Sequence, residues 1–146
     1  MTRHSWMIFA CALGVGACAP RRTIVVIDAE ESVRSSTVSL EAVVRTQPDG
    51  EARFRQVFEG EGLELPLVLE LEEDRSARFS VEVRAYGAPG ARGELVSSRL
   101  AAVRHGPPRA VELTLEGACR EVRACRMDRL EGCVGGQCVP VTPQDW

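Results

Sequence analysis

Aromatic side chains are scarce in this sequence, at 5% of 146 residues, and two of them, Trp6 and Phe9, fall in an amino-terminal stretch that reads as removable. Flat stacking surfaces for sugars or bases are in short supply as a result. An excess of positive charge is missing too: 18 basic residues are set against 21 acidic ones, spread along the chain, for a formal net charge of -3. With no basic face on offer, no nucleic-acid partner is expected. Lysine is absent altogether, and the arginine and glutamate of the outward faces are read as genome composition together with solvation, with no function attached. No Gly-x-Ser-x-Gly, His-Glu-x-x-His or phosphate-loop pattern occurs, so nucleophilic hydrolysis, zinc hydrolysis and nucleotide chemistry lack their parts. Beyond the amino-terminal stretch a single histidine remains, His105, beside Gly106-Pro107-Pro108, where it reads as a solvated loop residue. The chain is expected not to be an enzyme and to need no cofactor, and no small-molecule substrate is evident.

What is present begins with an address. Arg3 and His4 precede an apolar run from Trp6 to Val15, and the small residues Gly16 and Ala17 follow it. A basic end, a short apolar core and small residues at a cut site are the parts of an export signal. A membrane-spanning helix needs about 20 apolar residues, and here Arg21 and Arg22 arrive soon after the run. The segment is expected to direct export and then to leave.

Val15-Gly16-Ala17-Cys18 resembles the lipobox of bacterial lipoproteins, where an aliphatic residue and two small ones precede a cysteine. The resemblance implies that Cys18 receives a diacylglyceryl group through its sulfur, that a peptidase cuts after Ala17, and that the new amino terminus is often acylated as well. A thiol is a suitable nucleophile for a thioether bond. Each buried methylene adds about 0.8 kcal/mol, so two or three acyl chains hold a protein on a membrane where one does so only marginally. Ala19, rather than an aspartate resembling an inner-membrane retention signal, follows Cys18. The resemblance implies a location in the cell envelope, with the outer membrane favoured over the inner.

Past Ala19-Pro20-Arg21-Arg22 the chain turns to period-two alternation, the pattern of strands buried on one face. Leu63, Leu65, Leu67, Leu69 and Leu71 alternate with Glu64, Pro66, Val68, Glu70 and Glu72, while Ala77, Phe79, Val81, Val83 and Ala85 alternate with Arg78, Ser80, Glu82, Arg84 and Tyr86. These two strands are expected to pair through their opposite outer charges. Pro66 cannot donate to a ladder, so the leucine strand is either an edge or starts after it. Further strands are read at Thr23 to Asp28, Val38 to Val44, around Ala52, Phe54 and Phe58, at Leu95 to Val103, and at Val111 to Leu115. Turns rich in glycine and proline separate them. Seven short strands without helical interludes predict an all-β fold, a seven-stranded antiparallel sandwich of immunoglobulin-like or transthyretin-like architecture.

Cys11 leaves with the signal and Cys18 is taken by lipid, which leaves Cys119, Cys125, Cys133 and Cys138. In an oxidising compartment this cluster reads as two disulfides. Three pairings are open. Cys119 with Cys133 and Cys125 with Cys138 is favoured, since interleaving staples the greatest length of a tail with few apolar residues. A zinc site is the rival reading, but only Cys133 and Cys138 have a spacing common in such sites. The expected organisation is a signal peptide over residues 1–17, a lipidated linker over 18–22, a β-sandwich over 23–117 and a Cys-rich tail over 118–146. The whole layout resembles sandwich lipoproteins with Cys-rich tails from high-GC Gram-negative bacteria, a resemblance that carries no activity with it.

Two further features are candidate binding sites. The acid clusters Glu30-Glu31 and Glu72-Glu73-Asp74 could ligate calcium, but no Asp-x-Asp-Gly loop accompanies them, and solvated strand ends account for them. The Gly-rich segment from Tyr86 to Glu94 reads as a loop, either a flexible hairpin tip or a binding loop presenting Tyr86 and Arg92 to a partner. The resulting expectation is a membrane-anchored extracytoplasmic lipoprotein with a non-catalytic binding, adhesion or envelope-structural role. An envelope protein is its expected partner besides the membrane that Cys18 enters. The alternatives are a small protease inhibitor and a calcium-dependent interaction domain.

Overall fold

The computed structural model describes residues 22–47, 50–72, 78–103, 110–120, 122 and 125–142. Its strands in chain order are β1 (Arg22–Ala29), β2 (Ser39–Gln47), β3 (Ala52–Glu59), β4 (Leu67–Glu72), β5 (Arg78–Ala88), β6 (Arg92–Val103), β7 (Ala110–Leu115), β8 (Glu131–Val134) and β9 (Gln137–Pro140). One sheet has the order β4-β1-β7, a second β3-β2-β5-β6, and β8 pairs with β9 in a small hairpin. Against the expectation of no helical interludes, one α-helical turn, α1 (Glu31–Arg34), and three 3-10 turns, at Gly60–Gly62, Gly117–Cys119 and Met127–Arg129, interrupt the β structure among the described residues.

Alternation in the sequence explains how the two larger sheets meet. Val25 and Ile27 of β1, Leu69 of β4 and Val111, Leu113 and Leu115 of β7 lie in one buried cluster with Leu40, Ala42 and Val44 of β2, Phe79, Val81, Val83 and Ala85 of β5 and Val103 of β6. In β1, β2, β5 and β7 every second residue faces this cluster, as the pleat requires. Each fully buried valine, leucine or isoleucine contributes roughly 1.5–3 kcal/mol relative to exposure. The fold is all-β and sandwich-like, with its core between the two sheets.

Two expectations are corrected by the ladders. The leucine strand does not pair with the strand from Arg78 to Ala88: β4 pairs with β1, while β5 sits between β2 and β6 in the other sheet. The physical reason is that both strands carry a strongly apolar face, and each face is satisfied by pointing at the other across the core. Side-by-side pairing would leave both faces on the same side. The outer acid of β4 finds its cation on β1, where Arg22 donates to Glu70 at 3.2 Å.

The strand meets both readings offered by Pro66, starting after it and lying at an edge. Gly60–Gly62 forms a 3-10 turn, and β4 starts at Leu67, directly after Pro66, as an edge strand. Leu63 and Leu65 still pack against the core from outside the strand. Finally, pairing is not antiparallel throughout, because β1 and β7 run parallel from Ile24↔Ala110 to Ala29↔Leu115. The other ladders are antiparallel.

Candidate functional site

Cys119 bonds Cys133 and Cys125 bonds Cys138, with sequence separations of 14 and 13. The interleaved pairing locks the 3-10 turn at Gly117–Cys119 to the β8-β9 hairpin. In the chain-entropy model a closed loop of about 15 residues adds ~3 kcal/mol, enough to order a segment this short. Gly135 and Gly136 both take positive φ, 58° and 83°, at the tip between β8 and β9, and this turn sets Cys133 directly opposite Cys138.

The tail is docked on the sandwich. Cys119 and Cys133 are each only 1% exposed. Arg99 of β6 donates from Nη1 to Glu116 Oε1 and to the Cys133 carbonyl, both at 3.0 Å, while Glu116 Oε2 accepts the Gly135 N–H at 2.6 Å. Glu116, leaving β7, is thus the hinge pin between the last strand of the core and the hairpin. Arg120 donates to the Ser32 carbonyl at 2.9 Å and to Ser36 Oγ at 2.7 Å, which ties the tail to the helical turn as well. Where Gly132 passes Leu100 the space is tight: a Cβ there would lie 3.1 Å from Leu100 Cβ and 3.0 Å from a Val141 methyl, so the neighbours would have to give way.

Docking leaves a recess of about 200 Å³ between the tail and the outer face of the four-stranded sheet. Glu82, Arg84 and Tyr86 of β5 and Leu95, Ser98, Arg99 and Leu100 of β6 form one side, and Val122, Cys125, Glu131, Gly132 and Cys133 of the tail form the other. Both disulfides therefore border it. Glu82 is 5% exposed. Its Oε1 accepts from Arg84 at 2.5 Å, while its Oε2 is buried with no hydrogen-bond partner. Burial removes solvent from the Arg84 guanidinium and lowers its pKa, but the Glu82 charge and the hydrogen bonds that the guanidinium donates to Tyr86 and Glu82 outweigh this, so the net shift is upward. Beside the recess, Glu41 of β2, 2% exposed, pairs with Arg55 of β3 and accepts the Tyr86 hydroxyl at 3.3 Å.

A second recess, lined by Arg34, Thr37, Leu63, Glu64 and Leu65, offers less chemistry. Its arginine is already committed to Asp28 at 2.6 Å and to the Leu65 carbonyl at 3.1 Å. On the tail surface Arg126 and Asp128 pair at 2.9 Å, and that hydrogen bond chiefly holds the Asp128 carboxyl below its ordinary value.

The residues expected to carry function are distributed as follows. Cys11, Cys18 and His105 lie outside the described residues, as do Glu73 and Asp74. Glu30 is occupied by the Gly117 N–H at 2.7 Å. The segment from Tyr86 to Glu94 is not a long loop: β5 runs to Ala88 and β6 starts at Arg92. The tip between them is pinned. Ser39 Oγ donates to the Ala88 carbonyl at 2.5 Å and accepts the Ala91 N–H at 3.0 Å, and Gly90 N–H donates to Glu59 at 2.6 Å. Tyr86 and Arg92 are separated by this geometry, Tyr86 belonging to the recess and Arg92 to the exposed turn.

Sequence reasoning missed Glu41, Glu82 and Arg99, because alternation assigns outward polar residues to solvent. A signal for the covered face was nevertheless present. Leu100-Ala101-Ala102-Val103 is apolar on both faces, as in a strand buried on both sides. No protein-family model, no curated protein and no solved structure matches the chain.

Proposed function

We propose that this chain is an extracytoplasmic lipoprotein, anchored through acyl chains on Cys18, whose β domain and stapled tail form a non-catalytic binding module of the bacterial envelope. The single observation that carries the reading is the pair of interleaved disulfides in the tail, bonds that form and persist in oxidising compartments. The lipobox-like Val15-Gly16-Ala17-Cys18 and the basic and apolar residues before it supply the route to that compartment. No helix among the described residues is long and apolar enough to cross a membrane. Ala19 after Cys18 favours the outer membrane.

The architecture proposed for the domain is a seven-stranded sandwich of immunoglobulin-like or transthyretin-like kind, which suits presentation of a surface to an envelope protein. A binding role rather than catalysis is supported by the commitments of the buried acids, since Glu41 and Glu82 each hold an arginine. Metabolic labelling with tritiated palmitate tests the anchor. The parent chain expressed in a Gram-negative host takes up label and fractionates with membranes, and Cys18→Ser loses both properties. Equal labelling of parent and variant, or a cytosolic protein with free thiols, overturns the proposal.

A further inference from the structure

The sandwich is closed along one side and open along the other. Where β6 meets β7, the inward residues Ala101, Val103, Val111 and Leu113 are at most 5% exposed. On the opposite side β3 ends one sheet and β4 ends the other, and in these two strands together only Leu69 is buried. Phe54 and Phe58 of β3 and Leu67 and Leu71 of β4 pack against the core but stay half-exposed, so the core has an apolar mouth between two strand edges. A free edge presents unpaired N–H and C=O groups that template pairing with another strand. The two edges also match in level. Phe58 lies opposite Leu40 and Leu67 opposite Ile27, toward the end where α1 joins β1 to β2, while Phe54 and Leu71 lie toward the other end, opposite Val44 and Thr23. Their outward faces carry opposite charge at corresponding positions, Arg53, Arg55 and Val57 on β3 against Glu72, Glu70 and Val68 on β4. Val57 and Val68 are large hydrophobics exposed to 37% and 55%.

We infer that this open side is a self-association surface, on which a second copy of the chain seats its own mouth about a two-fold axis parallel to the strands. The axis sets β3 of each copy beside β4 of the other, antiparallel, so both edges are paired and the two cores merge. In that register Arg53 faces Glu72 of the second copy, Arg55 faces Glu70 and Val57 faces Val68. On the inner side Phe54 meets Leu71, Gln56 meets Leu69 and Phe58 meets Leu67. Opposite charges directly across a ladder stabilise it, and like charges oppose it. The other two-fold arrangement, β3 on β3 and β4 on β4, brings arginine toward arginine and glutamate toward glutamate, so charge selects between the two. Arg55 and Glu70 keep in-chain partners, Glu41 and Arg22, yet their side chains remain 69% and 61% exposed, open to a second copy. A two-fold dimer of this kind uses the same patch on both copies and closes on itself. It needs no acyl group, so dimer formation and palmitate labelling fail separately.

The test is sedimentation equilibrium of the full chain in a density-matched non-ionic detergent. The parent reaches a mass of two chains per particle as its concentration rises. Arg53→Glu alone and Glu72→Arg alone each set two like-charge pairs in the dimer, one at each ladder, and raise its dissociation constant about tenfold. An equimolar mixture of the two variants restores the affinity of the parent, because each copy then meets charge opposite to its own at both ladders. Both positions are exposed, so the substitutions leave the core of each copy untouched. Amide exchange of the parent reports the same contact without any substitution, slowing at residues 52–59 and 67–72 as concentration rises. A parent that stays one chain per particle with exchange in both strands independent of concentration, single variants that dimerise as tightly as the parent, or a mixture no tighter than either variant alone would each overturn the inference.

Discussion

Ser39 shows how much a single hydroxyl carries in this protein. It is fully buried, donates to the Ala88 carbonyl and accepts from the Ala91 N–H, so it holds the β5-β6 turn in which Ala91 adopts a left-handed φ of 54°. Ser39→Ala leaves the Ala88 carbonyl without this donor and removes the restraint on Ala91. A buried group left unpaired costs about 1–3 kcal/mol, and chemical denaturation is expected to show a loss of that size, with faster amide exchange confined to residues 88–92. An unchanged midpoint would mean that the turn holds itself. At this scale the sequence was a partial guide. Tyr86 reads from the sequence as a loop residue, because Gly87, Pro89 and Gly90 suggest a loop, whereas the ladder continues past Gly87 to Ala88↔Arg92. Glu41 and Glu82 were invisible as buried acids, since their burial depends on what lies over the sheet, and local alternation holds no information about that.

Among the elements, the tail hairpin is where local and long-range forces meet. The cysteine spacing alone favoured the interleaved bonds, but not where the hairpin docks, which depends on Arg99, Glu116 and the bare backbone of Gly132. Gly132→Val places methyl groups into Leu100 and Val141, and overpacking of this kind costs about 1–3 kcal/mol. The expected result is a tail lifted from β6, read as lost protection of the β8-β9 amides while the core strands keep theirs. Uniform loss of protection across the core would instead show tail and sandwich to be one cooperative unit. The two disulfides differ in access: Cys119 and Cys133 are buried, while Cys138 is exposed and Cys125 half-buried. Thiol exchange depends on access, so graded reduction followed by alkylation and peptide mass mapping is expected to open Cys125–Cys138 first. Simultaneous opening would contradict the docked geometry.

For the molecule as a whole, alternation located the strands of both larger sheets and made the all-β class legible. It did not fix their neighbours. Periodicity says which face of a strand is apolar, and many strand orders bury the same faces; β4 accordingly went to β1 and not to β5, and β7 closed the sheet in parallel with β1, far away in sequence. The recess was still less legible, because it exists only once the tail has come down on the outer face of the second sheet. Export, the anchor and the oxidised tail stand together as one account, and one mass spectrum of the native protein taken from membranes, without reduction, tests them together. The prediction is a chain that begins at Cys18, carries acyl mass on that residue, and gains four alkyl groups, on Cys119, Cys125, Cys133 and Cys138, only after reduction. A chain that still begins at Met1, without acyl mass and alkylated at those cysteines before any reductant is added, would contradict it.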